Sequence, residues 1–223
     1  MATLLACAKP ASQTERAYQA IKEMVMRGEL RPGEIFSIFQ LSDHLKLGRS
    51  PISSACQRLE YDGLVKVVPK QGVWINMLSI EDAKEVYESR VALECFYHRK
   101  ALELYTQDDI AALKASIEKQ FVFGAKGDVY AYMREDTFFH RYPMQKHKNS
   151  TLAEMYARLT DRMFMLGMKN AAAASRFQNA IEEHNSILSS IEANDVDGLV
   201  TAVERHIMNG YIELAGISGV IQQ

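Results

Sequence analysis

Long apolar runs, proline and cysteine are all scarce in this sequence, and each shortage excludes a class of protein. No stretch approaches the roughly 18 consecutive apolar residues of a membrane span, so no association with a membrane is predicted. The three cysteines, Cys7, Cys56 and Cys95, show no ligand or disulfide spacing, which predicts free thiols in a reducing cytoplasm. The net charge of −2 argues against a surface that is generally covered by nucleic acid.

The sequence changes in character near residue 76. The first 76 residues carry an excess of basic side chains, and the remainder carries an excess of acidic ones. Only the first part could therefore face a phosphate backbone. Apolar residues make up 48% of the chain, which is enough to bury a core in each of two domains.

A helix, a tight turn and a second helix are predicted between Leu41 and Val65, behind a first helix over residues 12–29. Ser37 and Gln40 have the spacing of a capping box at the start of the middle helix, and Gly48 is predicted to end it. The last helix is predicted to start at Ser50-Pro51, with Ser50 as its N-cap. Short polar side chains and arginine would then face outward, as major-groove reading requires; these are Ser53, Ser54, Gln57 and Arg58.

Residues 65–68 and 73–75 predict two strands joined by a turn, which together form a wing. From Ile80 onward the pattern is helical throughout and Pro143 is the only proline. Six helices are predicted there, over residues 80–105, 108–123, 129–142, 151–169, 175–193 and 196–217. The predicted fold is mostly α, with a winged helix-turn-helix and small β-hairpin over residues 10–76 and an all-α helical bundle over residues 80–220.

Residues 21–72 resemble the GntR-type bacterial transcription regulators. The matching residues are Ile21, Gly28-Glu29-Leu30, Pro32-Gly33, Leu41, Leu45, Arg49, Pro51, Ala55, Gln57-Arg58-Leu59, Gly63-Leu64-Val65 and Gly72. The resemblance implies that DNA is contacted by Gly48, Arg49, Ser50, Ser53 and the wing tip Gln71-Gly72. Gln57 is added because it faces outward, and a solvated turn residue is the alternative for Arg49.

Several of these positions depart from the family pattern. Members commonly have serine or threonine where this chain has Gly48, arginine where it has Ser53, and polar or basic residues where it has Ile38 and Phe39. Each missing arginine contact would remove about 1–3 kcal/mol of base discrimination. The operator is therefore predicted to differ from the one usual in the family.

Four side chains of the helical bundle are candidate metal ligands. Asp136 and His140 lie one turn apart on one face, while His184 and His206 fall on apolar stripes that point toward the core. Three imidazoles and one carboxylate suit zinc, nickel or manganese, and also cobalt or iron(II), rather than calcium. The alternative is that these are ordinary core histidines held by hydrogen bonds.

The bundle also resembles the effector domain of the FadR-type subgroup, in its shorter six-helix, VanR-like variant. The matching residues are Val86-Tyr87-Glu88, Arg90, Leu93-Glu94, Asp136, Phe139-His140, Asn149, His184 and His206. This resemblance implies that Asp136 and the three histidines bind a metal. Arg90 lies on an inward stripe and needs an anion, which is either a carboxylate effector shared with the metal or an internal partner, Glu94 or Glu88.

These features predict a DNA-binding transcriptional regulator of the bacterial cytoplasm, a repressor that binds a short palindromic DNA operator as a homodimer. A small carboxylate bound at the metal and Arg90 would control its operator affinity, without catalysis. Two alternatives stay open. One is a metal-dependent hydrolase or oxygenase, which would need a general base, although Glu183 is predicted to point elsewhere. The other is a regulator whose metal is purely structural.

Overall fold

The computed structural model describes residues 11–170 and 174–216. Cys7 and the outer ends of both predicted domains lie outside these residues. The chain divides into two compact units, one ending at Met77 and the other beginning at Leu78. Within the described ranges, no helix has the length and apolar content to cross a membrane, and Cys56 and Cys95 are free thiols.

The first unit is a winged helix-turn-helix, which confirms the predicted fold class. Its elements are α1 (Gln13–Met26), β1 (Ile35–Phe36), α2 (Ile38–Leu45), α3 (Arg49–Tyr61), β2 (Val65–Val68) and β3 (Gly72–Ile75). The strands form an antiparallel sheet in the order β1-β3-β2, so the wing has a third strand that was not predicted. Ile21, Ile52 and Leu59 are fully buried and join α1 to α3 in the core of this unit.

The ends of α2 and α3 were predicted with mixed success. The Ser37 hydroxyl accepts a hydrogen bond from Gln40 N at 3.0 Å and Gln40 Oε1 accepts one from Ser37 N at 2.8 Å, which confirms the capping box. The predicted end of α2 at Gly48 was wrong, because Lys46 adopts the left-handed conformation with φ 53° and stops the helix two residues earlier. Gly48 is instead the N-cap of α3, so the predicted capping role of Ser50 was also wrong.

The second unit consists of six α-helices in the described residues. They are α4 (Ile80–Ala101), α5 (Gln107–Ala125), α6 (Val129–Lys146), α7 (Ser150–Asn170), α8 (Ala174–Glu192) and α9 (Val196–Leu214), with a 3₁₀ turn at Leu102–Leu104. Capping boxes at Ser79 and Thr106 start α4 and α5, where the side chains of Asp82 and Asp109 complete them. Helix α4 packs against α9 and α7, and α8 packs against α5 and α9. This arrangement turns the inner faces of α4, α6, α8 and α9 toward one another.

Candidate metal centre and DNA interface

Three histidines from three helices meet in the core of the second unit. His140 lies on α6, His184 on α8 and His206 on α9, and all three side chains are buried. Their Nε2 atoms are 3.1 Å apart for His140 and His206, and 3.2 Å for each of the other two pairs. The structure therefore brings together all three histidines that were predicted as metal ligands.

Each imidazole is held in place through its other nitrogen. His140 Nδ1 lies 2.8 Å from Glu94 Oε2, and His206 Nδ1 lies 2.7 Å from Glu183 Oε2. His184 Nδ1 lies 2.9 Å from Gln120 Oε1. A carboxylate only accepts hydrogen bonds, so the protons of His140 and His206 are assigned to their Nδ1 atoms. The Gln120 amide nitrogen faces the Ser116 hydroxyl, which leaves its oxygen to accept from His184.

This pattern of partners leaves a lone pair on all three Nε2 atoms. Burial lowers the pKa of each imidazole well below its usual value, and nearby imidazole and guanidinium groups lower it further, so the rings are neutral. Three lone pairs that face one another at 3.1–3.2 Å repel unless a cation lies among them. Atoms at this spacing can all lie about 2.0–2.1 Å from one ion, which is the metal–nitrogen distance for zinc. The donor set therefore fits a transition metal with imidazole ligands.

Asp136 lies at the edge of this cluster. Its Oδ1 atom is 3.7 Å from His184 Nε2 and 3.8 Å from His140 Nε2. Burial raises the pKa of Asp136 to about 6, and the positive charge of Arg90 opposes that rise. The structure places the predicted carboxylate beside the histidines, where it could serve as a fourth ligand.

Arg90 forms the internal salt bridge that was one of its two predicted roles. Its Nε atom donates to Glu94 Oε1 at 2.7 Å, whereas Glu88 is exposed and pairs with Lys84 at 3.8 Å. The Arg90 Nη2 atom is buried and has no hydrogen-bond partner among the described residues. One edge of this guanidinium is thus satisfied by Glu94, and another is available to an anion.

A cavity with a volume of about 50 Å³ opens beside the cluster. Asp136, His206 and Arg90 line it, together with the aromatic rings of Tyr87 and Tyr132. A cavity of that size holds only a few water molecules, so a ligand there must be small. The predicted effector residue and two of the predicted metal ligands share this cavity.

Glu183 points to another side of α8 than His184, as predicted, but it is still part of the site. Glu183 leaves α8 about 100° around the helix from His184, and α9 packs against that side. Its carboxylate accepts hydrogen bonds from His206 Nδ1 at 2.7 Å, from Asn209 Nδ2 at 2.7 Å and from Arg176 Nη2 at 3.0 Å. Sequence reasoning also missed Gln120 and Arg176 as parts of the site.

The predicted DNA-contacting residues lie along α3, from Arg49 at its start to Gln57, and at the tip of the wing. Arg49, Ser50, Gln57 and Gln71 are exposed, and Ser53 is half-buried. The Arg49 guanidinium lies 5.1 Å from the centre of the exposed Phe39 ring, so the aromatic residue that departs from the family pattern contacts the leading arginine candidate.

Two other residues of this surface have structural partners. Arg58 is exposed as predicted, but its Nη1 atom donates to Glu15 on α1 at 2.6 Å and its guanidinium lies 3.8 Å from the centre of the Tyr18 ring. Gly72 has φ 130°, and a Cβ atom there would lie 2.5 Å from the carbonyl oxygen of Phe36 on β1. Close packing against β1 therefore requires glycine at the wing tip.

Comparison with known proteins gives matches along both units. Residues 13–75 match the family model described as bacterial regulatory proteins, gntR family, and residues 85–209 match the FCD domain. The uncharacterized HTH-type transcriptional regulator YdhC of Bacillus subtilis (strain 168) is 23% identical over 202 residues, which are 90% of this chain and 88% of that protein. The HTH-type transcriptional repressor RspR of Escherichia coli (strain K12) is 20% identical over 86% of this chain and 85% of its own length.

The fold is also shared with solved structures. The structure of E. coli McbR/YncC matches with a TM-score of 0.81 at 22% identity, covering 94% of this chain and all of that one. The matching proteins are named as transcriptional regulators and not as enzymes.

Proposed function

The chain belongs to the GntR family of bacterial regulatory proteins, with an FCD domain as its second unit, and we propose that it is a repressor controlled by a small carboxylate that binds at a metal site. Like its relatives, it is a DNA-binding transcriptional regulator and not an enzyme. Regulators of this family commonly dimerise, and we propose a homodimer on a short palindromic operator in the bacterial cytoplasm. The name of the repressor RspR supports the proposed direction of control.

The convergence of three unprotonated Nε2 atoms is the observation that carries this proposal. His140, His184 and His206 would hold a divalent transition metal such as zinc, nickel or manganese, with Asp136 as the fourth ligand. The bound metal would offer a coordination position to a carboxylate oxygen. Glu94, Gln120 and Glu183 would keep the three imidazoles in the tautomer that can bind it.

The carboxylate would occupy the cavity between this centre and Arg90. Arg90 Nη2 is a buried charged donor with no partner among the described residues, and leaving such a group unpaired is costly. A carboxylate there would satisfy it with a charge-assisted hydrogen bond. Control of DNA binding would follow if the carboxylate binds more tightly to one conformation of the protein than to another.

Operator binding by metal-loaded and metal-stripped protein tests this proposal. The probe is a fluorescent duplex that the wild-type protein has selected from random sequence, and the acids are acetate, butyrate and succinate. We expect at least one acid to change the Kd for DNA roughly 5–150-fold, the usual range of allosteric coupling, with metal-loaded protein only. An equal response without metal, or no response with it, would contradict the proposal. Unfolding on metal removal with no response to any acid would favour a purely structural metal.

The Arg49→Ala variant tests the DNA surface. We expect it to weaken operator binding by about 1–3 kcal/mol, because an arginine contact to a guanine edge is worth that much in discrimination. Fluorescence anisotropy at several salt concentrations would separate a base contact from a phosphate contact. Only the loss of a phosphate contact reduces the slope of log affinity against log salt concentration, by about one.

Arg58→Ala is the matched control on the same helix. Arg58 is half-exposed like a surface residue, but Glu15 and Tyr18 engage its guanidinium. Its loss should change DNA affinity little, and a surface ion pair contributes only about 0–1 kcal/mol to stability. If both variants weakened DNA binding equally, the result would contradict the assignment of Arg49 as a specific DNA contact.

A further inference from the structure

Arg176, near the start of α8, is a second buried guanidinium on the wall of the cavity beside the histidine cluster. Its Nη2 atom donates to Glu183 Oε2 at 3.0 Å, and its Nε atom lies 3.5 Å from Glu213 Oε2. Its side chain is only 8% exposed. The third nitrogen, Nη1, is buried and has no hydrogen-bond partner within the described part of the chain.

Arg90 and Arg176 therefore share one unusual property. Each guanidinium is anchored by a carboxylate on one side and keeps a buried, unpartnered nitrogen on another, and both residues line the same cavity. A buried N–H without an acceptor costs free energy, more so when it carries charge. Two such groups on one small cavity indicate that an occupant with two separate acceptor groups would satisfy them.

The two guanidiniums approach the same aromatic ring. The guanidinium carbon of Arg90 lies 5.7 Å from the centre of the Tyr87 ring. A methyl group built on Gly210 would lie 3.0 Å from Tyr87 Cε1 and 3.6 Å from Arg176 Nη2, which makes Arg176 a neighbour of that ring as well. Met133, Phe164 and Ala180 add apolar wall to the cavity. A short carbon chain with an acceptor at each end matches a cavity that is lined by two guanidiniums and by these apolar groups.

The charges of the site favour an anion, with a limit on its charge. Arg90, Arg176 and a divalent metal would supply four positive charges, against three negative charges on Glu94, Glu183 and Asp136. Glu213 is more exposed than Glu183 and shares Arg176 at a longer distance, so it neutralises less. One carboxylate balances this count, so a neutral second acceptor fits the charges of the site better than a second carboxylate.

We propose that the effector is a short-chain carboxylate with a second oxygen acceptor at its far end, and that Arg176 binds this second acceptor. The inference rests on the proposed function, because the first carboxylate is the one assigned to the metal and Arg90. Arg176 would thus determine which acids the regulator detects. An acid that lacks the second acceptor would leave Arg176 Nη1 unsatisfied.

Isothermal titration calorimetry, in which the metal-saturated full-length protein is titrated with matched acids, measures their affinities and tests this inference. Butyrate, succinamate and succinate share four carbons and differ only at the far end, and valerate and glutarate repeat the comparison with five. We expect succinamate or succinate to bind roughly tenfold or more tightly than butyrate, and glutarate to bind roughly tenfold or more tightly than valerate. A hydrogen bond to a charged group can account for a difference of that size. Equal affinities within both series would overturn the inference and leave the proposed function standing.

The Arg176→Met variant should lose this discrimination while it still binds butyrate. Its metal content must be measured, because Arg176 also contacts Glu183, the partner of His206. Arg176→Lys keeps the charge and provides a folded comparison if the methionine variant fails to fold. Arg162→Met is the matched control, since Arg162 also has a buried Nε atom without a described partner but does not line the cavity.

The outcomes separate the two proposals. If the Arg176→Met variant still discriminates between the acids, the role of Arg176 is overturned but the proposed function is not. Loss of discrimination in Arg162→Met as well would also overturn it, because the effect would not be specific to the cavity. Failure of every acid to bind the metal-saturated wild type would overturn both the inference and the proposed function.

Discussion

Replacing His140 and His206 together by alanine should reduce the metal content of the purified protein from roughly one equivalent per chain to background. The double variant keeps only His184 and Asp136, which is too few ligands for tight binding of a transition metal. Elemental analysis by mass spectrometry, after incubation with zinc, nickel or manganese and removal of free ions, measures this directly.

The same variant should lose any response to carboxylates and should still bind DNA. The residues proposed to contact DNA belong to the other compact unit, so their local structure does not depend on these histidines. A matched control is His44→Ala/His147→Ala, which removes two histidines outside the cluster. Metal retained by the His140/His206 variant would contradict the assignment, as would a wild-type protein that takes up none of the three metals.

Local patterns in the sequence were enough to predict most of the fold. The Ser37 capping box and the six helical stripes reflect contacts between residues three or four apart, which a single sequence displays. The strand Ile35–Phe36 has only two residues, too few to show a period of two, and it forms through pairing with Trp74 and Val73 far along the chain. Its existence depends on a long-range partner and not on its own composition.

The candidate site divides in the same way. His184 and His206 could be predicted to point inward because each interrupts an apolar stripe on its own helix. The partners of their Nδ1 atoms depend on which helix packs beside which, and the contact of Glu183 with His206 was missed because its direction was judged relative to α8 alone. Gln120 gave a usable signal, since it follows Leu113 and Ile117 on the buried stripe of α5. A polar residue on such a stripe needs a buried partner, and here that partner is His184.

Glu94 contacts both Arg90 and His140, which were predicted as separate parts of the site. This carboxylate is fully buried and accepts hydrogen bonds from Arg90 Nε at 2.7 Å, from His140 Nδ1 at 2.8 Å and from Tyr156 Oη at 2.9 Å. Its negative charge compensates Arg90, and its geometry fixes the tautomer of His140. The stability of the helical unit and its metal affinity should therefore both depend on Glu94.

The Glu94→Ala variant should lower the free energy of unfolding of the helical unit by about 3–5 kcal/mol. The change leaves the Arg90 charge buried without its partner and removes the acceptor of two other buried donors, which is far more costly than loss of an exposed pair. Urea titration followed by far-UV circular dichroism reports mainly on the helices. Trp74, the single tryptophan, lies in the first unit, so its fluorescence follows that unit and should change little.

Two further variants test whether the effect of Glu94 on stability depends on its position, and whether Glu94 affects metal affinity separately from stability. Glu88→Ala removes an exposed carboxylate from the same helix and should alter stability by no more than about 1 kcal/mol. Glu94→Gln keeps the size of the side chain but removes its charge and replaces one of its two acceptor oxygens with an amide donor, so the amide oxygen can accept from His140 or from Arg90 and Tyr156, but not from both sides. Loss of the partner of a metal-binding histidine typically lowers metal affinity about 10–100-fold. The urea titrations must use metal-free protein, because a bound metal stabilises the folded state by an amount that grows with the logarithm of its affinity and would combine the two effects. If Glu94→Ala and Glu88→Ala unfolded at the same urea concentration, Glu94 would not have the central role that its three hydrogen bonds indicate.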